Sequence, residues 1–185
     1  MDHVTDDTPA GERTPPEPSP ESQAPAQNTA VQAARRQEAL DLVKNHVIAA
    51  MAIGTLPVPL IDFVGLTALQ LRMIARLSRL YGVPFRANRG KSIVTSLLGA
   101  IVPPSAAGGL ASMAKFVPGV GLATGIMAAS TIGGASTYAV GRAFSRHFER
   151  GNSLLNLSLE DLRQDVQHFT REGEELVAKL RRKVL

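Results

Sequence analysis

The apolar and polar positions divide the chain into stretches of unlike character. From Val117 to Gly141 the sequence VPGVGLATGIMAASTIGGASTYAVG holds no charged residue, and Lys115 and Arg142 bracket it. A helix needs about 20 predominantly apolar residues to cross a hydrocarbon core ~30 Å thick, so this run is long enough to span. Gly121, Gly125, Ala129, Gly133, Thr137 and Gly141 recur at every fourth position. On a helix this places them on one stripe with almost no side chain. Such a stripe lets another helix approach closely, and packing of that kind holds helices together in lipid.

The flanking pattern is helical too. Thr29 to Gly54 is rich in Ala, Gln, Glu and Leu, all good helix formers. Val31, Ala34, Leu40, Val43 and Val47 fall near one face. Pro57 and Pro59 then interrupt the chain. Proline removes a helix hydrogen bond and restrains the residue before it, so a break at Thr55–Pro59 is expected, with a second helix from about Leu60 to Tyr81. Asp62 is the one acid between Asn45 and Leu71. Its place just after Pro59 suits a helix N-terminus; pairing with an arginine such as Arg72 is the alternative. Arg72, Arg76 and Arg79 follow one another at helical spacing and share a face, which reads either as a solvated surface or as a basic strip touching lipid headgroups.

Tyr81-Gly82-Val83-Pro84 ends that helix. Ser92 to Ala114 is again uncharged, but Pro103-Pro104 and Gly108-Gly109 interrupt it, so two shorter helices around a break fit better than one rod. Near the end of the chain, Ser158 followed by Asp161 resembles a capping box. Leu155, Leu159, Leu162, Val166, Phe169, Gly173, Leu176 and Leu180 then form a heptad seam with a gap at Gly173. This helix packs on its own domain or against another chain.

Charge sharpens the picture. Residues 1–28 contain six of the 12 prolines and six acids against one base, Arg13, and read as a disordered acidic tail. The rest of the chain carries 19 bases against 10 acids, so the formal net charge of +4 hides a strongly basic body. A basic, apolar body suits an anionic membrane face. Aromatics make up only 4% of the chain and Trp is absent, so platforms for stacking bases are scarce and nucleic acid is an unlikely partner. Arg86, Arg89 and Lys91 precede the glycine-rich hairpin near 93–141, and Arg142, Arg146 and Arg150 follow it. By the positive-inside tendency both flanks face the cytoplasm. The expected location is the inner membrane of a bacterium, with both termini cytoplasmic. The N-terminus lacks the basic and apolar regions of a secretory signal.

Candidate chemistry is sparse. With no cysteine, disulfides, thiolate metal sites and cysteine nucleophiles are excluded. There is no phosphate-loop motif, and Gly119, Gly121 and Gly125 have the wrong spacing for a dinucleotide fingerprint. His3, His46, His147 and His168 are scattered without metal-ligand spacing. No catalytic, cofactor or metal residues are expected.

The stretch LPVPLIDFVGLTALQLRMIARLSRLYGV carries Pro57-x-Pro59-x-x-Asp62, Leu69-Gln70, Met73-Ile74 and Tyr81-Gly82. Together with Val117-Pro118-Gly119-Val120-Gly121 and Thr137-Tyr138-Ala139-Val140-Gly141, it resembles the DUF697 family, the bacterial YcjF-like group, over roughly residues 38–150. The resemblance implies a membrane-associated helical module that serves a GTPase in trans, since this chain has no GTPase domain of its own. It supplies no catalytic residues.

The sequence thus predicts an all-α protein, a helical bundle with a glycine-rich hydrophobic hairpin. Its parts are a tail (1–28), a hydrophobic helical domain (29–150) and an amphipathic C-terminal helix (151–185). Pro57, Pro59 and Asp62 make the helix turn. Gly121, Gly125, Ala129 and Gly133 make close helix contacts, within the chain or with a second copy. Arg72, Arg76, Arg79, Arg142 and Arg146 meet membrane lipid at the interface. The rival reading is a soluble helical-bundle adaptor that holds the hairpin in its core and binds a partner through its C-terminal helix.

Overall fold

The structure is a computed structural model that describes residues 20–55, 59–101 and 120–184, with side chains over 28–55, 64–97 and 125–183. The chain divides into two units, 1–33 and 34–185. Five helices are described: α1 (Pro20–Ile53), α2 (Pro59–Leu80), α3 (Ala87–Ile101), α4 (Val120–Glu149) and α5 (Leu159–Val184). No strand occurs among the described residues. The all-α expectation holds.

Most boundaries follow from local chemistry. Helix α1 is described over Pro20–Ile53 and so reaches back beyond the expected Thr29. It closes in a turn at Gly54 and Thr55, where the Gly54 amide donates to the Ala50 carbonyl and the Thr55 hydroxyl to the Ala52 carbonyl. At the end of α2, Gly82 takes a positive φ of 69°. The Gly82 amide donates to the Arg79 carbonyl and the Val83 amide to the Ser78 carbonyl at 2.7 Å, the paired bonds of a Schellman cap. At the start of α5 the Asp161 amide donates to the Ser158 hydroxyl at 3.3 Å, as its sequence suggests.

Within 34–185, α4 is the central element. Helix α1 runs antiparallel to it: Gly54 lies against Ser130, Ala50 against Gly133 and Val43 against Gly141, and Arg36 reaches Glu149. Helix α2 runs parallel to α4, with Leu66 beside Gly133, Gln70 beside Thr137 and Met73 beside Gly141. Helix α5 is antiparallel, with Val177 against Gly134, Gly173 against Ala135 and Asp165 against Arg146. Helix α3 packs on α2, α4 and α5. The core contains Val43, Val47, Met73, Ile74, Leu77, Val94, Leu97, Val140, Phe144, Val166 and Val177, all buried.

The expected membrane-crossing helix is corrected here. Among the described residues no helix is long and apolar enough to cross a membrane. The uncharged run begins α4, but that helix continues through Arg142 and Arg146 to Glu149. Its Gly, Ala, Ser and Thr positions contribute little hydropathy, and from Gly133 to Thr137 the chain is buried under neighbouring helices. The Pro103-Pro104 and Gly108-Gly109 interruptions and Pro57 lie outside the described residues.

A polar clasp joins α1, α2 and α4 where α4 ends. The Arg36 guanidinium donates to both Glu149 carboxylate oxygens, at 3.3 and 3.1 Å, and the Tyr81 hydroxyl donates to the same carboxylate at 3.1 Å. Exposed ion pairs contribute about 0–1 kcal/mol, so the clasp sets register more than stability. Burial pushes the Tyr81 phenol well above its ordinary range, and the Glu149 charge pushes it the same way.

Two predictions follow from this packing. A Cβ at Gly173 would lie 2.7 Å from the Ala135 carbonyl oxygen and 2.9 Å from its Cα, so backbone must move; at Gly65 the nearest atom would be Ile53 Cγ2 at 3.6 Å. Gly173→Ala should therefore destabilise by about 1–3 kcal/mol. Gly65→Ala should stabilise by about 0.5–1 kcal/mol through helix propensity. Urea titration of the full chain reads both, and equal midpoints for the two variants would contradict the packing. The Tyr81 shift gives the pH dependence. The folded chain holds the phenolic proton more tightly than the unfolded chain, so this stabilisation is intact below about pH 10 and declines as pH rises above it. Tyr81→Phe should flatten part of that alkaline decline; an unchanged slope would show that Tyr81 plays no part in it.

Candidate functional site

The helix directions gather four ends together: the C-termini of α1 and α5 and the N-termini of α2 and α4. Sequence determines the character of this end. Helix α1 has no Asp, Glu, Lys or Arg after Lys44, α2 has only Asp62 before Arg72, and α4 has none before Arg142. Large apolar side chains stand open there: Val64 is 65% exposed, Ile48 52%, Met127 49% and Ile132 45%. Among the described residues the other charges of this end are the cations of α5, Lys179, Arg181, Arg182 and Lys183 in its last turns. The Arg181 guanidinium donates to the Thr131 hydroxyl, which itself donates to the Met127 carbonyl at 2.8 Å. Beyond the level of Thr131, α4 continues from Ser130 back to Val120, about 16 Å of helix at 1.5 Å per residue.

The opposite end is polar. It holds the Arg36–Glu149–Tyr81 clasp, the Arg146–Asp165 pair at 2.9 Å and the exposed Arg86, Arg89 and Arg150. Its two open leucines, Leu155 and Leu159, border a groove shared with Arg89 and Ile93.

The residues singled out in the sequence separate in space. Gly125 and Gly133 are buried and Ala129 is half-buried, while Gly121 lies in the first turns of α4. A four-residue repeat drifts about 40° per step on a 3.6-residue helix, so the stripe winds slowly around α4, and Gly133 and Gly141 still face the same two helices, α1 and α2. Gly133 meets the Ala50 backbone of α1. Gly134 meets Val177 of α5 and Met51 of α1. Gly141 meets Val43 of α1 and Met73 of α2. Gly134 falls outside the four-residue repeat, although its seven-residue spacing from Gly141 marks it. The gap at Gly173 in the α5 seam is the point where α5 and α4 backbones touch, and Val177, beside the expected Leu176, is the buried residue of that seam.

Arg72, Arg76 and Arg79 are exposed along α2. Arg142 is half-buried with its guanidinium 5.1 Å from the Phe169 ring centroid, and Arg146 pairs with Asp165. Pro59 opens α2 and Asp62 lies in its first turn. Inside the bundle the fully buried Gln70 amide donates to the Thr137 hydroxyl at 3.3 Å and, more weakly, to Ser136 at 3.5 Å. Both hydroxyls donate to the Gly133 carbonyl, which locks α2 to α4 at mid-height. Among the described residues no group of three His, Cys, Asp or Glu side chains could hold a metal ion. What the arrangement offers chemically is therefore a surface: an uncharged, apolar end with a basic edge.

Comparisons with known proteins show the family. The model of a domain of unknown function, DUF697, matches residues 24–174. Magnetosome membrane protein 22 of Magnetospirillum gryphiswaldense is 40% identical over 142 residues, covering 76% of this chain and 73% of that protein. No solved structure matches. On the extent of the family match and the identity to this relative, the chain belongs to the DUF697 family.

Proposed function

We propose that this chain is a non-enzymatic, membrane-associated bacterial protein that seats its uncharged end in one leaflet. The observation that carries the proposal is the segregation of charge within one bundle. Four helix ends converge where α1, α2 and α4 carry only Asp62, while Val64, Met127 and Ile132 stand exposed. Arg181, Arg182 and Lys183 then lie at headgroup level, where each cation contributes about 1 kcal/mol against an anionic surface. The similarity to a protein named for the magnetosome membrane supports the same reading. In this arrangement the chain enters from the cytoplasm without crossing, and both termini remain on that side of the inner membrane or of a vesicle derived from it.

A GTPase partner supplied by another chain is the part of the proposal that rests on family resemblance. The apolar seam of α5 is occupied by α4, so a protein partner at α5 would meet its charged outer face, including Arg171, Glu174 and Glu175, all exposed. The exposed arginines of α2, Arg72, Arg76 and Arg79, offer a second basic face for acidic groups or headgroups.

Fractionation of cells expressing the full chain tests the seating. Wild type should stay with the membrane through a carbonate wash. The double variant V64E/M127E should be released, because burying a charge in a bilayer costs about 2.5–3.5 kcal/mol per residue even on the mildest scale. Recovery of wild type in the supernatant without detergent would overturn the proposal.

A further inference from the structure

Between the last turns of α1, the early turns of α4 and the last turns of α5 lies a groove of about 470 Å³. Ile48, Met51 and Ala52 form one wall, Met127 another, and Leu180 a third, with Arg181 at the edge. No acid lines it. Apolar surface of this size left open to water is unfavourable by about 25 cal/mol per Å², and exposed apolar patches mark binding sites.

The chemistry of the lining narrows the occupant. A bound peptide would bring backbone N–H and C=O groups that need partners when buried. The groove offers almost none beyond the hydroxyls of Thr55 and Ser130, and the Thr55 hydroxyl already donates to Ala52. A hydrocarbon chain needs no partner. At the mouth, the Arg181 guanidinium is steadied by Thr131, whose hydroxyl is in turn fixed to Met127. One nitrogen is so engaged, and the rest of the fork is available to a phosphate. Arg182 and Lys183 follow and are exposed. None of the three forms an ion pair among the described residues. The nearest acids on the same helix, Glu174 and Glu175, lie about two turns back, and the facing parts of α1 and α4 carry none.

We propose that this groove holds one acyl chain of an anionic phospholipid, with Arg181 on its phosphate and Arg182 and Lys183 beside the same headgroup. The proposal rests on the membrane-seated reading above and adds a specific lipid site to it. The neutral groove accounts for the chain, and the unpaired cations select an anionic headgroup over a zwitterionic one.

Native mass spectrometry of the full chain in detergent, titrated with phosphatidylglycerol or phosphatidylcholine, tests it. Wild type should retain one phosphatidylglycerol molecule and hold phosphatidylcholine far more weakly. Ala52→Phe fills the groove from an exposed position and should weaken phosphatidylglycerol retention at least about tenfold, the effect of removing a couple of buried methylenes. Arg181→Gln leaves the groove open and should reduce phosphatidylglycerol to the phosphatidylcholine level. Equal retention of the two lipids by wild type would overturn the proposal, as would unchanged retention by a folded Ala52→Phe chain. Complete displacement by inorganic phosphate would also overturn it, since that describes an anion site without a chain. Flotation on phosphatidylglycerol vesicles separates this proposal from the reading beneath it. Vesicles that fail to float wild type overturn the membrane seating. Vesicles that float wild type and Ala52→Phe alike, while only wild type retains the single lipid, support both.

Discussion

The close approach of the α4 backbone to α1 and α5 is the constraint on which the rest of the bundle depends. A Cβ at Gly54 would stand 2.7 Å from the Ser130 Cα, and one at Gly173 would stand 2.7 Å from the Ala135 carbonyl oxygen. Glycine on one side of each crossing removes the side chain that would otherwise keep the axes apart. Larger residues one to three turns away, Val177, Val47 and Val43, then come within contact of Gly134 and Gly141. Dispersion contacts are individually small and add up only when surfaces are this close. The small residues of α4 thus act by what they permit their neighbours to touch.

This packing and the membrane reading are connected. A run of Gly, Ala, Ser and Thr with no charge can serve a helix in lipid or a helix in a protein core. In this chain its middle is covered by other helices of the same unit. The scarcity of charge extends further, to the neighbouring ends of α1, which has none after Lys44, and α2, which has only Asp62 before Arg72, so the property belongs to an end of the bundle and not to one helix. Cations from α5 stand at the edge of that end. The clasp of Arg36, Tyr81 and Glu149 stands at the opposite end, where water screens it and where it fixes the register of α1 and α2 on α4.

Much of this was legible in the chain. The end of α1 near Gly54, the stop at Tyr81-Gly82-Val83-Pro84 and the Ser158 cap depend on local backbone chemistry, and they stand close to where the residues place them. The partner of the glycine-rich helix was not legible, because hydropathy and small-residue spacing are the same for lipid packing and core packing. The four-residue repeat finds part of the packing: Gly133 and Gly141 both face α1 and α2, while Gly134, which the repeat skips, carries the contact to α5. The position of Arg142 after the uncharged run was legible, but the contact of its guanidinium with Phe169 was not, since α5 supplies the ring. The groove beside Met127 needed three helices in place, since its walls come from residues far apart in sequence.

The measurement that bears most directly on the central claim is the accessibility of single nitroxide labels to oxygen and to a water-soluble nickel chelate, on vesicle-bound full chain. The cysteine-free sequence allows one label at a time, at Met127 near one end and Leu155 at the other. The account predicts that the Met127 label is reached by oxygen and shielded from nickel, while the Leu155 label is reached by nickel, all with reagent added on one side. Nickel access at both positions would contradict seating of the uncharged end. Access to Leu155 only from the inside of the vesicle would mean that the chain crosses the bilayer.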